Sequence, residues 1–183
     1  HRIQGVALLM MAVLMALVPV LPLLWVLAGV LLVLGVFEGS LDVGGNTLIV
    51  WVQREKNGPF MNGLHFFFGV GAFLAPVIVA QSLLLTQDIH WAYWAIAVLL
   101  LPVSAWLLLQ PSPEIRHSTQ AVSATQANTV LLGSIILFFF LYVGAEIGFA
   151  GWITTYSVAL GLSDTVGGAY LTSVFWGALT IGR

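Results

Sequence analysis

The chain has 183 residues, 60% hydrophobic and 7% charged, with five Lys and Arg against seven Asp and Glu and no cysteine. A soluble domain carries about 25% charged residues, so a soluble fold is excluded; nucleic-acid binding is excluded too, because it needs a basic surface. Without cysteine there is no disulfide framework, thiolate metal site or cysteine nucleophile. The composition is that of an all-α, multi-pass integral membrane protein, a polytopic transmembrane helix bundle whose first partner is the lipid bilayer. The start at His1 and the end on Ile181-Gly182-Arg183 lead us to expect a piece of a longer chain.

A membrane helix needs roughly 20 mostly apolar residues. From Ile3 to Phe37 there is no charge, yet the stretch is too long for one span, and Pro19-Val20-Leu21-Pro22 splits it. No cleavage site of the signal-peptide kind follows the first span. Six spans are predicted, 3–20, 23–52, 59–82, 90–110, 129–158 and 165–182. If His1 is cytoplasmic, Arg2, Arg54, Lys56, Arg116 and Arg183 all fall inside, and the turns near 20–22, 83–89 and 159–164 carry no Lys or Arg. This is the positive-inside pattern; it puts 53–58 and 110–128 in the cytoplasm, and the short loops suggest a plasma (inner) membrane.

The second span carries Glu38 almost at its midpoint, with Asp42 and Asn46 at successive turns, so the three form one polar stripe. An ionisable group at mid-membrane costs about 2.5–3.5 kcal/mol and marks a candidate functional site. Gly44-Gly45 beside Asp42 suggests an interrupted helix with backbone groups exposed to an ion or solute. Gly35/Gly39 and, in the fifth span, Gly144/Gly148 are small-xxx-small pairs suited to close helix packing. In the third span Asn62, His65 and Gly69 share a face; His65 reads as a proton relay or hydroxyl-bonding group, or as a packing residue. Trp91, Tyr93 and Trp94 open the fourth span as an interfacial belt.

Residues 110–128 are polar and rich in Pro, Ser and Thr, a linker by composition. Glu146 lies near the midpoint of the fifth span with Tyr142 at i−4, and reads as a functional acid or as a buried acid bonded to a neighbouring helix. Trp152, and Trp176 deeper in the sixth span, are candidates for stacking on a sugar ring, with Tyr156 and Tyr170 nearby. No metal-ligand spacing, hydrolase, kinase or phosphate-loop pattern occurs. We therefore expect no enzyme, no metal site, no ATP-driven pump and no cofactor, the coupling ion aside.

Five segments carry a family resemblance. Gly39-Ser-Leu-Asp42-Val-Gly-Gly-Asn46-Thr-Leu, then Met61-Asn62-Gly-Leu-His65-Phe-Phe-Phe-Gly69-Val-Gly71-Ala-Phe-Leu-Ala-Pro76, resembles the major facilitator superfamily. The branch it resembles is that of the sodium-dependent glucose transporter-like proteins, related to the fucose:proton symporters. Tyr142-Val-Gly-Ala-Glu146, Trp152-Ile-Thr-Thr-Tyr156 and Ser173-Val-Phe-Trp176-Gly-Ala-Leu-Thr-Ile-Gly182-Arg183 are similar to that family's seventh and eighth helices.

The resemblance implies a twelve-helix, two-bundle transporter of which these spans are helices three to eight. Residues 1–110 would belong to the N-terminal six-helix bundle, 111–128 would be the cytoplasmic inter-bundle loop, and 129–183 would start the C-terminal bundle. It implies that spans 23–52 and 129–158, which hold Glu38, Asp42 and Glu146, line the central cavity. In fucose-type symporters a carboxylate four residues before an Asn serves coupling and sugar recognition; Asp42 and Asn46 have that spacing, with Asp in place of Glu. Coupling by H+ or Na+ both stay open. The function expected is ion-coupled symport of a sugar or similar small polar solute by alternating access. Asp42 would be the coupling carboxylate, Asn46 and His65 the hydroxyl-bonding groups, Asn62 their neighbour, Glu146 a cavity acid and Glu38 a further candidate. A non-transporting scaffold or assembly module, and a lipid or drug exporter of the same superfamily, are the alternatives.

Overall fold

Two prolines three residues apart cannot continue a helix, and the chain turns where they stand. In the computed structural model, which describes residues 2–53, 57–111 and 128–182, helix α1 (Arg2–Leu17) closes in a short 3-10 turn over Val18–Val20, with Pro19 in it. Then follow α2 (Leu24–Gln53), α3 (Asn57–Thr86), α4 (His90–Leu109), α5 (Thr129–Ala159) and α6 (Thr165–Gly182). The expected spans are all helical. The first is shorter than 3–20 because Pro19 tightens its last turn, and the third runs four residues beyond 82.

Five stretches, Arg2–Val20 and α2 to α5, are long and apolar enough to cross a membrane. The 18-residue α6 is not among them. Its Thr172, Ser173 and Thr180 hydroxyls donate to the carbonyls one turn back, Gly168, Ala169 and Trp176, which hides their polarity from lipid. The linker expected at 110–128 lies, over 112–127, outside the described residues; so do Arg54, Lys56, Arg116 and Arg183, four of the five cations in the charge pattern.

Among the described residues, α1 packs antiparallel on α4 and also meets α2; α3 packs on α6, and less closely on α2 and α4; α5 packs on α6 alone. Small residues make these approaches possible. A Cβ on Gly5 would lie 2.8 Å from Leu108 Cγ, and the Gly5 carbonyl accepts from Ser104 Oγ at 2.8 Å. The expected small-xxx-small pairs take no part: nothing lies within 4 Å of a Cβ built on Gly35, Gly39, Gly144 or Gly148. The α2 helix is also unbroken at Gly44-Gly45. Gly44 is there because α1 crosses it, with the Gln4 amide occupying the space a side chain would take. That close crossing replaces the expected interruption.

The turns are held by their own side chains. Asn128 Oδ1 accepts from the N–H groups of Val130 and Leu131 at the start of α5, and Asp164 Oδ1 accepts from Gly167 N–H at 2.7 Å at the start of α6. Between α3 and α4, the His90 N–H donates to Asp88 Oδ1 at 2.9 Å and the His90 ring contacts the same oxygen. The backbone bond, then the ring bond, hold the Asp88 carboxyl below its ordinary 3.8. A depressed carboxyl stabilises the fold above its unfolded value and loses that contribution as pH falls through the folded one. Thermal melts of the wild type and Asp88→Asn should therefore differ near neutral pH and converge as the pH falls through the depressed value of the Asp88 carboxyl.

At the end of α5, Gly161 has φ +67°, and Leu162 N–H reaches back to Ser157 O at 2.9 Å, a glycine C-cap. A side chain in that conformation costs about 1–2 kcal/mol. Gly161→Ala should lower the melting temperature accordingly, whereas Gly133→Ala, in open space on the same helix, should not.

Candidate functional site

The polar stripe on α2 is present as a continuous helical face. Asn46 Nδ2 donates to the Asp42 carbonyl at 2.8 Å and to Asp42 Oδ1 at 3.1 Å. The amide is thereby fixed beside the carboxylate, and the second carboxylate oxygen is left to accept from elsewhere. Glu38 and Asp42 are exposed and Asn46 half-buried. At 100° per residue the stripe lies roughly opposite Gly44, where α2 meets α1, and beside Gly45, where it touches Leu64 of α3. The stripe is thus turned away from the α1–α4 side of the bundle.

On α3, Asn62 and His65 are exposed, while Gly69 on the same face is buried against Thr180 of α6. The Gly45–Leu64 contact sets the register of the antiparallel α2 and α3. It puts Asn62 and His65 at the depth of Gly44 to Thr47, level with the Asp42–Asn46 pair. Among the described residues no hydrogen bond joins the polar groups of these two helices, and Glu38, Asn62 and His65 bond to no protein group. Neighbouring hydroxyls behave differently: Ser40 and Thr47 each donate to the carbonyl one turn back, at 2.8 and 2.7 Å.

Glu146 is buried, at 9% exposure, on the face of α5 that also buries Ala150 and Ser157 and packs on α6. The α5–α6 register is set by Thr154 and Thr172, whose hydroxyls lie 3.1 Å apart. Two turns along each helix from that pair, Glu146 stands level with Thr180, the residue that meets Gly69 of α3. Gly69 in turn is level with Ser40, between Glu38 and Asp42. Three pairwise registers therefore bring all the intramembrane acids to one depth, on helices before and after the linker.

The two tryptophans differ. Trp152 is 67% exposed. Trp176 is 8% exposed, edge-on to Phe68 of α3 at 5.9 Å and to Phe175 at 5.6 Å, and Phe175 continues to Phe149 of α5 at 5.4 Å. This aromatic ladder ties α3, α6 and α5 together, so Trp176 is a seam residue as the structure stands. Two polar groups were not singled out in the sequence: Gln4, packed over Gly44, and Gln81, whose Nε2 donates to Tyr170 Oη at 2.7 Å. An uncharged amide inside an apolar span was the signal for both.

The family model for the Major Facilitator Superfamily matches residues 2–183. Sodium-dependent glucose transporter 1 of Homo sapiens is 30% identical over 82% of this chain and 36% of its own length. Sodium-dependent glucose transporter 1A of Mus musculus is 29% identical over 82% of this chain and 44% of its own. Sodium-dependent glucose transporter 1 of Xenopus laevis is 28% identical over 100% of this chain and 43% of its own. The chain thus spans less than half the length of these curated relatives. No solved structure matches it significantly.

The α3–α6 seam makes a direct prediction. Gly69→Leu, which drives a side chain into Thr180, should destabilise the protein by about 1–3 kcal/mol. Gly71→Leu, with nothing within 4 Å, should leave the melting temperature nearly unchanged.

Proposed function

The chain belongs to the major facilitator superfamily, and we propose that it is part of an ion-coupled transporter that moves a sugar or similar small polar solute by alternating access. The observation that carries this reading is the open hydrogen-bonding capacity, among the described residues, of polar groups that share one depth on α2 and α3. Glu38, Asn62 and His65 bond to no described group, Asp42 keeps a carboxylate oxygen open, and hydroxyls nearby are all returned to backbone. In hydrocarbon such groups are costly; on a water-filled cavity they are ready to bond a polyol. The names of the relatives support a sugar and a sodium ion, and the Asp42–Asn46 pair suits a proton as well.

In this reading Asp42 is the coupling carboxylate, and Asn46 orients it. Asn62 and His65 bond solute hydroxyls from the facing helix. Glu146 supplies an acid from the second half at the same depth, with Glu38 one turn from Asp42 on the first. Trp152 offers an open ring face for a sugar, and Trp176 offers one when the α3–α6 seam parts. Residues 1–110 and 129–183 belong to two bundles joined by a cytoplasmic loop over 111–128, in a plasma membrane. Substrate and ions bind near the midplane between the bundles, as in other transporters of this kind.

In the full-length protein reconstituted in vesicles, Asp42→Asn should abolish accumulation driven by an ion gradient while sparing solute exchange. Accumulation at the wild-type level would remove Asp42 from the mechanism. Asn46→Ala, which releases the carboxylate from its amide, should weaken solute binding and coupling together, read as a higher KM and a lower solute-to-ion ratio.

A further inference from the structure

On the far side of the bundle from the polar stripe, α1 and α4 leave an open depression of about 250 Å³. Its floor is made by Ala12, Ala16 and Ala97, and its walls include Trp94, Val98 and Leu101. The Trp94 Nε1–H on this wall is already given to the Ala16 carbonyl at 3.2 Å. The lining therefore offers water little to bond and suits an apolar chain. Trp94 to Leu101 rises about 10 Å along α4, which fits within one leaflet of a hydrocarbon core about 30 Å thick.

The mouth of this depression has a different chemistry. At the start of α4, Trp91 meets Trp94 edge to face at 5.4 Å, and His90 meets Trp94 at 5.9 Å. Trp91 is 53% and Trp94 36% exposed, which leaves indole faces open. Asp88 stands beside them, its carboxylate held ionised by the His90 N–H and ring. No Lys or Arg occurs in residues 83–101 or 3–23, which include the ends of α1 and α4 at this mouth. Open indole faces next to a carboxylate recognise a quaternary ammonium. An anionic headgroup would meet the Asp88 carboxylate with no Lys or Arg to offset it.

We propose that this face of α1 and α4 binds a phospholipid with a quaternary ammonium headgroup, one acyl chain in the alanine-floored depression and the headgroup cation against Trp91 and Asp88. One face of α4 provides both halves: Trp91, Trp94, Val98 and Leu101 follow at helical spacing, aromatic at the helix start and aliphatic below. The site needs only the membrane-spanning bundle and is independent of what the protein transports.

The test uses the full-length protein in detergent, offered phosphatidylcholine, phosphatidylethanolamine and phosphatidylglycerol at equal concentrations, with retained lipid read by native mass spectrometry. Phosphatidylcholine should be retained several-fold over the other two. Trp91→Leu should bring it down to the phosphatidylglycerol level without changing phosphatidylglycerol itself, and Asp88→Asn should close the gap from both sides, lowering phosphatidylcholine and raising phosphatidylglycerol. Equal retention of all three lipids by the wild type overturns the proposal without reference to any variant. Retention of phosphatidylethanolamine equal to phosphatidylcholine overturns the quaternary-ammonium assignment. An undiminished choline preference in both variants overturns the placement at Trp91 and Asp88.

Discussion

A bilayer interior has no water to satisfy a polar group, and the arrangement of this chain follows from that single fact. Ser40, Thr47, Ser134, Thr172, Ser173 and Thr180 each return their hydroxyl to a carbonyl one turn back in the same helix. Ser104 and Trp94 on α4 reach carbonyls of α1 instead, and Gln81 reaches Tyr170 on α6. Most hydroxyls inside the described helices are satisfied in this way. Against that background Glu38, Asn62 and His65, exposed and bonded to no described group, stand out on α2 and α3.

The same constraint explains how the helices are joined. Apolar helices gain little by leaving lipid for one another, so their association rests on close packing. The tight points are Gly5 against Leu108, Gly44 against Gln4, Gly69 against Thr180, and Gly168 against Thr154 and Ser157. Along α3 and α6 the seam runs from Gln81–Tyr170 through Phe73–Gly177 to Gly69–Thr180, with Phe68–Trp176 beside it. One hydrogen bond, two glycine contacts and an edge-on aromatic pair make a joint between the segments on either side of the linker. In an alternating-access reading such a joint has little directional bonding to break when the halves rock.

Much of this was legible from residue type and order. Composition alone demanded a membrane bundle, the Pro19–Pro22 pair marked the first turn, and the spacing of Glu38, Asp42 and Asn46 put them on one face. These are local properties: a helix forms wherever some 20 apolar residues meet lipid, whatever its neighbours, and the 3.6-residue period fixes which side chains share a face.

Which glycines pack, and which polar groups are left open, is a different kind of information. Gly35/Gly39 and Gly144/Gly148 have the right spacing and touch nothing, while Gly69 and Gly44 are crossed by a neighbouring helix. Trp176 reads in sequence as an open platform and is closed off by Phe68, a residue more than a hundred positions away. The levelling of Glu146 with Asp42 depends on three helix registers, two between consecutive helices and one, Gly69 on Thr180, between segments remote in the chain. Sequence period determines the faces of each helix; only the packing of one helix on another decides which face is covered, because a face carries no mark of the partner that will meet it.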